Sequence, residues 1–449
     1  MKKGMVTSLI FLSTLTLGLT ACGKSNKSNV DGEEVNGKTN QELTIAALEG
    51  GYGREMYSEV ISAFEKANPG VKVNLTISKS LEDEITPNMK AGKFPDLVVL
   101  GQGRSAGLTE SLIKDNALED VTDVLEMTVP TEDVKVKDKL IDGIVGNLNT
   151  NPYGDDQTYL MPMYYAPNGL VYDQNLLSQN NWEVPTTFEG LFKLGDEAKK
   201  KDINLFTYPT AGYMDSYFFS ILAGVGGTDF YSDVMTYKKD IWKTEKATEV
   251  LKYTEKLLTQ YTDKATVGHA NEQDFTKNQQ SILDDKNMFM PNGTWIVGEM
   301  ADAPRADGFT WGLMPLPSVE EGGKRYLTTS VESVWVPKEG KNTDLAKQFM
   351  AYLYSDEAAK IFLESNAIQP IKGIEEKIEG ETKAFYEIYQ QEDVEALVGG
   401  FASTKPVEGV NIKEILFDSA NSIISGDKTL KQWQSELNEA SEKLRAAKD

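Results

Sequence analysis

One cysteine, Cys22, and one histidine, His269, serve the whole 449-residue chain. A single thiol excludes an internal disulfide framework and any cysteine-based zinc site. A single imidazole excludes a histidine-rich metal centre and argues against a Ser-His-Asp triad. His269 itself, in the loop-like TVGHANE, reads as a surface side chain. Positive charge is short too: 46 Lys and Arg stand against 69 Asp and Glu, a formal net charge of −23. Phosphate binding needs clustered Lys and Arg, so nucleic acid is not an expected partner. Beyond the amino-terminal run, no apolar stretch approaches the roughly 20 residues that cross a bilayer. A Walker A motif is missing as well. The glycine-rich LAGVGGTDF has neither its lysine nor its spacing and reads as a helix-to-loop turn. No cofactor and no metal site is expected.

What is present is an ordinary globular mixture, 40% hydrophobic and 26% charged. The length exceeds what one hydrophobic core supports, so two lobes are expected. Lys2 and Lys3 precede an apolar run from Met5 to Leu19, followed by Leu19-Thr20-Ala21-Cys22. This resembles a bacterial lipobox. The resemblance implies a lipoprotein signal peptide over 1–21, cleavage before Cys22, and lipidation of its thiol. Two acyl chains on one residue anchor stably where one does not. A secretory signal that happens to contain a cysteine is the plainer alternative. Residues 22–41, rich in Ser, Asn, Gly and charge, bury no core and read as a flexible tether.

Order begins at ELTIAAL, a strand over 42–48. In REMYSEVISAFEKANPG the apolar residues Met56, Tyr57, Val60, Ile61 and Phe64 recur at three to four, a helix closed by Asn68-Pro69-Gly70. The alternating VKVNLTI, a helix in LEDEITPNMK and a strand over 96–100 complete parallel βαβ units. From about 151, TYLMPMYYAPNGLVYD reads as two short strands around a Pro-Asn-Gly turn. Thr186 and Glu189 read as a capping box. NMFMPNGTW reads as a strand running into a turn, and NTDLAKQFMAYLYSDEAAKIFLES as a helix pair capped at 342–344 and by Ser355.

Several of these segments, in order, carry a resemblance. AFEKANPGVKV, AGKFPDLVVL, MPMYYAPNGLVYDQNLL, WEVPTTFEGL, QSILDDKNMFMPNGTW and VWVPKEGKNTDLAKQFMAYLYSDEAAKIFLESNAIQPI resemble the extracytoplasmic sugar-binding proteins of ABC importers, family 1, over about 42–375. Phe188 stands where that pattern commonly has Trp. The resemblance implies an α/β, two-lobed periplasmic-binding-protein fold of type II, with mixed sheets flanked by helices and hinge strands between the lobes. Mapped on these segments, lobe one takes 42–150 plus 308–338 and lobe two takes 151–307 plus 339–449. The implied protein is a monomer, lipid-anchored on the extracytoplasmic face of the cell membrane. It captures a carbohydrate, an oligosaccharide, and delivers it to ABC permease subunits and, through them, an ATPase.

Sugars stack their C–H faces on aromatic rings and offer hydroxyls to planar polar groups. The candidate ligand residues are Glu49 and Tyr52 after the first strand, and Gln102 and Arg104 after DLVVLG. Tyr164 and Asn168 follow at the lobe entry, then Tyr213 and Asp215 in TAGYMDSYFF, Trp295, Glu332 and Gln369. Each also has a plainer reading as core or solvated side chain; Tyr165, Phe218 and Trp335 space like core residues. The alternatives in function are a peptide- or polyol-binding protein, an adhesive lipoprotein, or a secreted glycoside hydrolase with a carboxylate pair. No acidic residue sits in a hydrolase motif.

Overall fold

The computed structural model describes residues 41–448, apart from 105, 142, 143 and 403. The expected signal peptide, Cys22 and the tether as far as 40 lie outside the described residues. Strand β1 (Gln41–Leu48), helix α1 (Glu55–Ala67), β2 (Val71–Ser78), α2 (Leu81–Lys90) and β3 (Leu97–Val99) alternate as expected. The expected stripe of α1, Met56 through Phe64, is its buried face. Glu55 in its first turn and Lys66 in its last complement the helix dipole. β1 pairs in parallel with β2 and β3.

The Pro-Asp of AGKFPDLVVL has a structural reason. Asp96 accepts hydrogen bonds from the Thr44 amide (2.8 Å) and hydroxyl (2.7 Å) on β1. It accepts two more, from the Lys341 and Asn342 amides (2.9 Å each). One buried carboxylate thereby ties β1 to the start of the helix Thr343–Tyr352.

One expectation fails at Pro-Asn-Gly 167–169, whereas NMFMPNGTW is a strand that runs into a turn at 294–295, as expected. Residues 160–173 form one 14-residue strand, β4 (Leu160–Asp173), and 287–293 form β6 (Asn287–Gly293), with no turn inside either. Turn chemistry is overridden by pairing on both edges: β4 lies antiparallel to β6, to β7 (Trp311–Met314) and to β8 (Arg325–Trp335). The Gly169 position needs glycine for close approach, because a Cβ there would collide with the Met314 carbonyl. The expected capping box is not formed, because the N-cap moves one residue on and glycine then stands at N3. Thr187, not Thr186, caps the helix Phe188–Lys199, accepting from the Gly190 amide at 3.1 Å. LAGVGGTDF is a kink at Gly227 (φ 79°) inside the helical run Met214–Met235.

The strand order is β2-β1-β3-β8-β4-β6-β5, with β5 at Asn204–Phe206, and β9 (Val394–Leu397) adds to β8. β4 and β8 are the long members. The Val334–Trp335 end of β8 pairs with β3, and its Arg325–Thr328 end pairs with β9. These two strands are common to both halves of the sheet, the place a hinge requires. Neighbours on β4 point to opposite cores: Val171 into the cluster of α1 and Phe349, Leu170 into that of Phe188, Tyr217 and Trp433.

The packing differs from the expected lobe boundaries. Helices Thr343–Tyr352 and Asp356–Glu364, expected in lobe two, pack on the first βαβ units; the Phe64 ring meets Phe349 edge-on at 4.9 Å. β7, expected in lobe one, pairs with Leu170–Asp173 of β4, on the edge opposite β6. Helix and strand signals carry no information about which sheet an element joins.

Candidate functional site

Where β1 ends, Gly53 closes a tight turn on Gly50 (N–H to O 3.1 Å) in a left-handed conformation (φ 78°), presenting Tyr52. The Tyr52 hydroxyl shares a 2.9 Å hydrogen bond with Thr294, and its ring meets Tyr164 edge-on at 5.1 Å. Tyr164 on β4 stands opposite Glu332 on β8, and its hydroxyl donates to Glu332 Oε2 at 3.5 Å. Burial pushes the Tyr52 phenol up to about 12 and the Glu332 carboxyl up to about 7, the latter opposed first by the nearby Gly101 amide and then by the Arg104 charge. Glu332 Oε1 is shielded from water and accepts no hydrogen bond.

Asn168, 9% exposed, donates through Nδ2 to the Ser330 hydroxyl at 2.6 Å, leaving Oδ1 without a partner. That oxygen lies against Gly293, where any Cβ would collide with the Trp295 indole. Trp295 therefore lies over bare backbone, half-buried, with Gly51 close to its Cβ (Cβ to Cβ would be 3.3 Å) and Tyr213 at a ring separation of 6.3 Å.

Arg104 and Gln102 follow β3 on a loop fastened from within. Arg104 Nε pairs with Glu82 Oε2 at 2.9 Å, and Gln102 donates to the Asn149 carbonyl at 2.8 Å. From the other half of the molecule, Lys413 donates to the Gly103 carbonyl at 3.2 Å. Asp215 is open to water yet walled by protein. That desolvation pushes its carboxyl up to about 6, opposed by the Ser216 amide and by Lys413.

Of the residues singled out in the sequence, Tyr52, Tyr164, Asn168, Tyr213, Trp295 and Glu332 thus form one contiguous group. Gln102, Arg104 and Asp215 border it, joined through Gly103 and Lys413. Glu49 is half-buried in the turn that carries Tyr52. Gln369 is the correction: it is 1% exposed, and its amide is spent on the Leu353 carbonyl inside the wall. Phe218 and Trp335 are fully buried core, as their spacing indicated. Sequence reading missed Tyr386, Tyr389 and Lys413. Tyr389 bonds Thr329 at 2.7 Å, and Tyr386 donates to the Tyr165 carbonyl at 2.6 Å, rings packed on Tyr165. Their i, i+3 spacing in AFYEIYQ looks like any amphipathic turn, so no local signal marks them.

Two sheet halves share long strands, and rings and unpartnered polar atoms gather where the halves meet, which makes this group the candidate site for a solute. Residues 47–360 match the family of bacterial extracellular solute-binding proteins. The chain belongs to that family. This solute-binding protein is 25% identical over 370 residues to the diacetylchitobiose-binding protein of Streptomyces coelicolor, covering 78% of this chain and 76% of the relative. It is 27% identical over 376 residues to the maltodextrin-binding protein of Bacillus subtilis, covering 81% and 79%. It superposes on the ABC substrate-binding protein of Listeria monocytogenes solved with cycloalternan, with a TM-score of 0.66 and 17% identity over 90% of this chain and 98% of that one. That likeness shows the two-lobed fold. The chain is accordingly a binding protein and not an enzyme. Among the described residues no helix is long and apolar enough to cross a membrane.

Proposed function

We propose that this solute-binding protein captures an oligosaccharide between its two lobes and delivers it to the permease of an ABC importer. The observation that carries the reading is the group around Trp295. A half-buried indole, two phenol rings and the unpartnered oxygens of Asn168 and Glu332 offer ring faces and hydroxyl acceptors together. The named ligands of the relatives, diacetylchitobiose and maltodextrin, support the same solute class. Tyr52, Tyr164, Asn168, Tyr213 and Trp295 are the proposed contacts, with Glu49, Gln102, Arg104, Asp215 and Glu332 at the borders.

The first lobe comprises β1–β3, the first half of β4, the end of β8 and Thr343–Glu364; the second comprises the remaining strands with the helices Phe188–Lys199, Met214–Met235 and Leu430–Ala446. Ligand binding favours closure because contacts from both lobes exist together only in the closed form. After removal of signal peptide 1–21, lipidated Cys22 and the tether then hold a monomer on the outer face of the cell membrane, where separate permease subunits and an ATPase complete transport.

A thermal-shift screen over maltodextrins, chito-oligosaccharides, galactosides, fructans and N-glycan fragments tests the ligand class. The melting temperature should climb with concentration of the cognate glycan. Silence toward every glycan, with a clear response to a peptide, would overturn the reading. Labelling with a radioactive fatty acid, lost on Cys22→Ala, tests the anchor.

A further inference from the structure

We infer that Tyr386 and Tyr389 form a clasp across the pivot between the lobes, which holds the closed form and makes both of them positioning residues for solute capture. The clasp rests on the two-lobe capture proposed above and is independent of which solute is bound.

Within the described residues the chain passes between the lobes three times. β4 and β8 are two of the passages. The third lies within 365–393, between the helix Asp356–Glu364 of the first lobe and β9 of the second. Midway along it, one turn carries two phenols. Tyr386 ends the helix Lys383–Tyr386, and Tyr389 lies in the 3-10 turn Glu387–Gln390 that follows.

The two phenols hold opposite sides of the pivot. Tyr386 donates to the Tyr165 carbonyl at 2.6 Å, on β4, where the Tyr165 amide is tied to the Ile368 carbonyl of the first lobe at 2.9 Å. Tyr389 shares a 2.7 Å hydrogen bond with Thr329 of β8. The neighbour of Thr329, Thr328, pairs with Leu397 of β9 in the second lobe. The Tyr165 ring packs on both phenols, at 5.3 Å from Tyr386 and 5.8 Å from Tyr389. On the β4–β8 ladder Tyr165 stands opposite Val331 and Thr329 opposite Pro167, so the two anchor points lie on facing strands at the place where the lobes part.

A short helical turn is stiff, and only three residues separate one phenol from the other. Bending β4 and β8 at this place changes the distance and direction between the Tyr165 carbonyl and the Thr329 hydroxyl. Both hydrogen bonds therefore fit one lobe angle. That angle is the closed one, because Tyr52 reaches Thr294 and Lys413 reaches Gly103 across the lobes in the same structure. Tyr386 also faces Tyr52 and Thr294, which places the clasp behind that cross-lobe bond. Being only 2% exposed, Tyr386 acts through the lobe angle and not by touching the solute. Bonds made only in the closed form raise its population, and apparent affinity rises by the same factor.

The test reads the closed population directly. Lys90→Cys on α2 and Lys252→Cys on the helix Glu245–Lys256 of the second lobe, both exposed positions, carry a dye pair for single-molecule energy transfer in the Cys22→Ser protein. Tyr389→Phe and Thr329→Val each remove the same bond and keep the packing. Each should lower the closed fraction of the free protein about threefold to tenfold, the scale of one hydrogen bond. Tyr386→Phe combined with Tyr389→Phe should fall little further than either alone, since a clasp released at one end no longer holds. Maltotetraose and diacetylchitobiose are then titrated. Affinity for whichever binds should drop by the same factor as the closed fraction, through faster dissociation, with the melting temperature of the free protein unchanged. An unchanged closed fraction in the folded Tyr389→Phe and Thr329→Val proteins would overturn the inference and leave two-lobe capture standing. Weaker binding without a change in closed fraction would also overturn it. A wild-type protein whose dye separation never changes, free or with every solute of the wider screen, would remove two-lobe capture and the clasp with it.

Discussion

Tyr52 and Thr294, 242 positions apart, share a hydrogen bond of 2.9 Å between their hydroxyls. It joins the turn after β1 to the segment after β6, and so couples the two lobes beside Trp295. Replacing Tyr52 with Phe removes this bond and keeps the ring against Tyr164. The expected outcome is a loss of about 1 kcal/mol in ligand affinity, read by calorimetry. Because the bond exists only with the lobes together, the dissociation rate should rise more than the association rate falls.

Trp295 is the largest ring in the group. Trp295→Ala should weaken ligand binding by about 1–3 kcal/mol with little change in the melting temperature of the free protein. Gly293→Ala offers an independent route to the same effect, because the added methyl collides with the indole. Full affinity in a folded Gly293→Ala protein would show that the indole position does not matter.

Asp96 concerns stability rather than binding. Asp96→Ala leaves the Thr44, Lys341 and Asn342 amides without their acceptor, and about 2–4 kcal/mol of stability should be lost in urea unfolding. Burial opposes ionisation of this carboxyl, yet the hydrogen bonds from Thr44 and Asn342 outweigh it and hold it below the usual range. The sign follows: its contribution is complete above the unfolded aspartate value and disappears as pH falls through the lower folded value. An Asp96→Asn protein should therefore lose its disadvantage relative to wild type at acid pH.

Glu332 runs the other way. Its folded value of about 7 lies above the ordinary glutamate range, so the unfolded chain releases its proton first as pH rises. Wild-type stability should decline from this source between about pH 4.5 and 7. Glu332→Gln should melt above the wild type at pH 8, by about 2 °C, and match it near pH 4. A pH-independent difference between the two proteins would refute the assignment.

Lys413 binds the Gly103 carbonyl from the opposite half of the molecule. Lys413→Met should accelerate ligand dissociation about threefold in stopped-flow traces and leave the melting temperature of the free, open protein unchanged. Rescue by Lys413→Arg, which keeps a donor of similar reach, would separate this bond from simple packing.

The alternation of β1, α1, β2, α2 and β3 was legible because each element is local: period two in the strands, three to four in the helices, with Pro and Gly between. The candidate ligand loops were legible for a related reason, since rings and acids after strand ends lie where α/β sheets bind ligands. Pro-Asn-Gly misled at 167–169. A turn preference is weak beside pairing on both edges of a central strand, and pairing partners lie more than a hundred residues away. Gln369 misled because a polar residue in a loop gives no sign that its amide is needed by a buried carbonyl.

The sequence alone determined the class of the fold and its two-lobed size, because composition, periodicity and motif order are local properties. Tertiary structure decided which lobe each helix joins, that one unbroken β4 serves both lobes, and that Tyr386, Tyr389 and Lys413 reach the region from the far end of the chain. It also decided that Arg104 is paired with Glu82 while Asn168 Oδ1 has no partner. Whether a charge or a hydrogen-bonding atom is spent depends on neighbours distant in sequence, and only the folded chain brings those neighbours together.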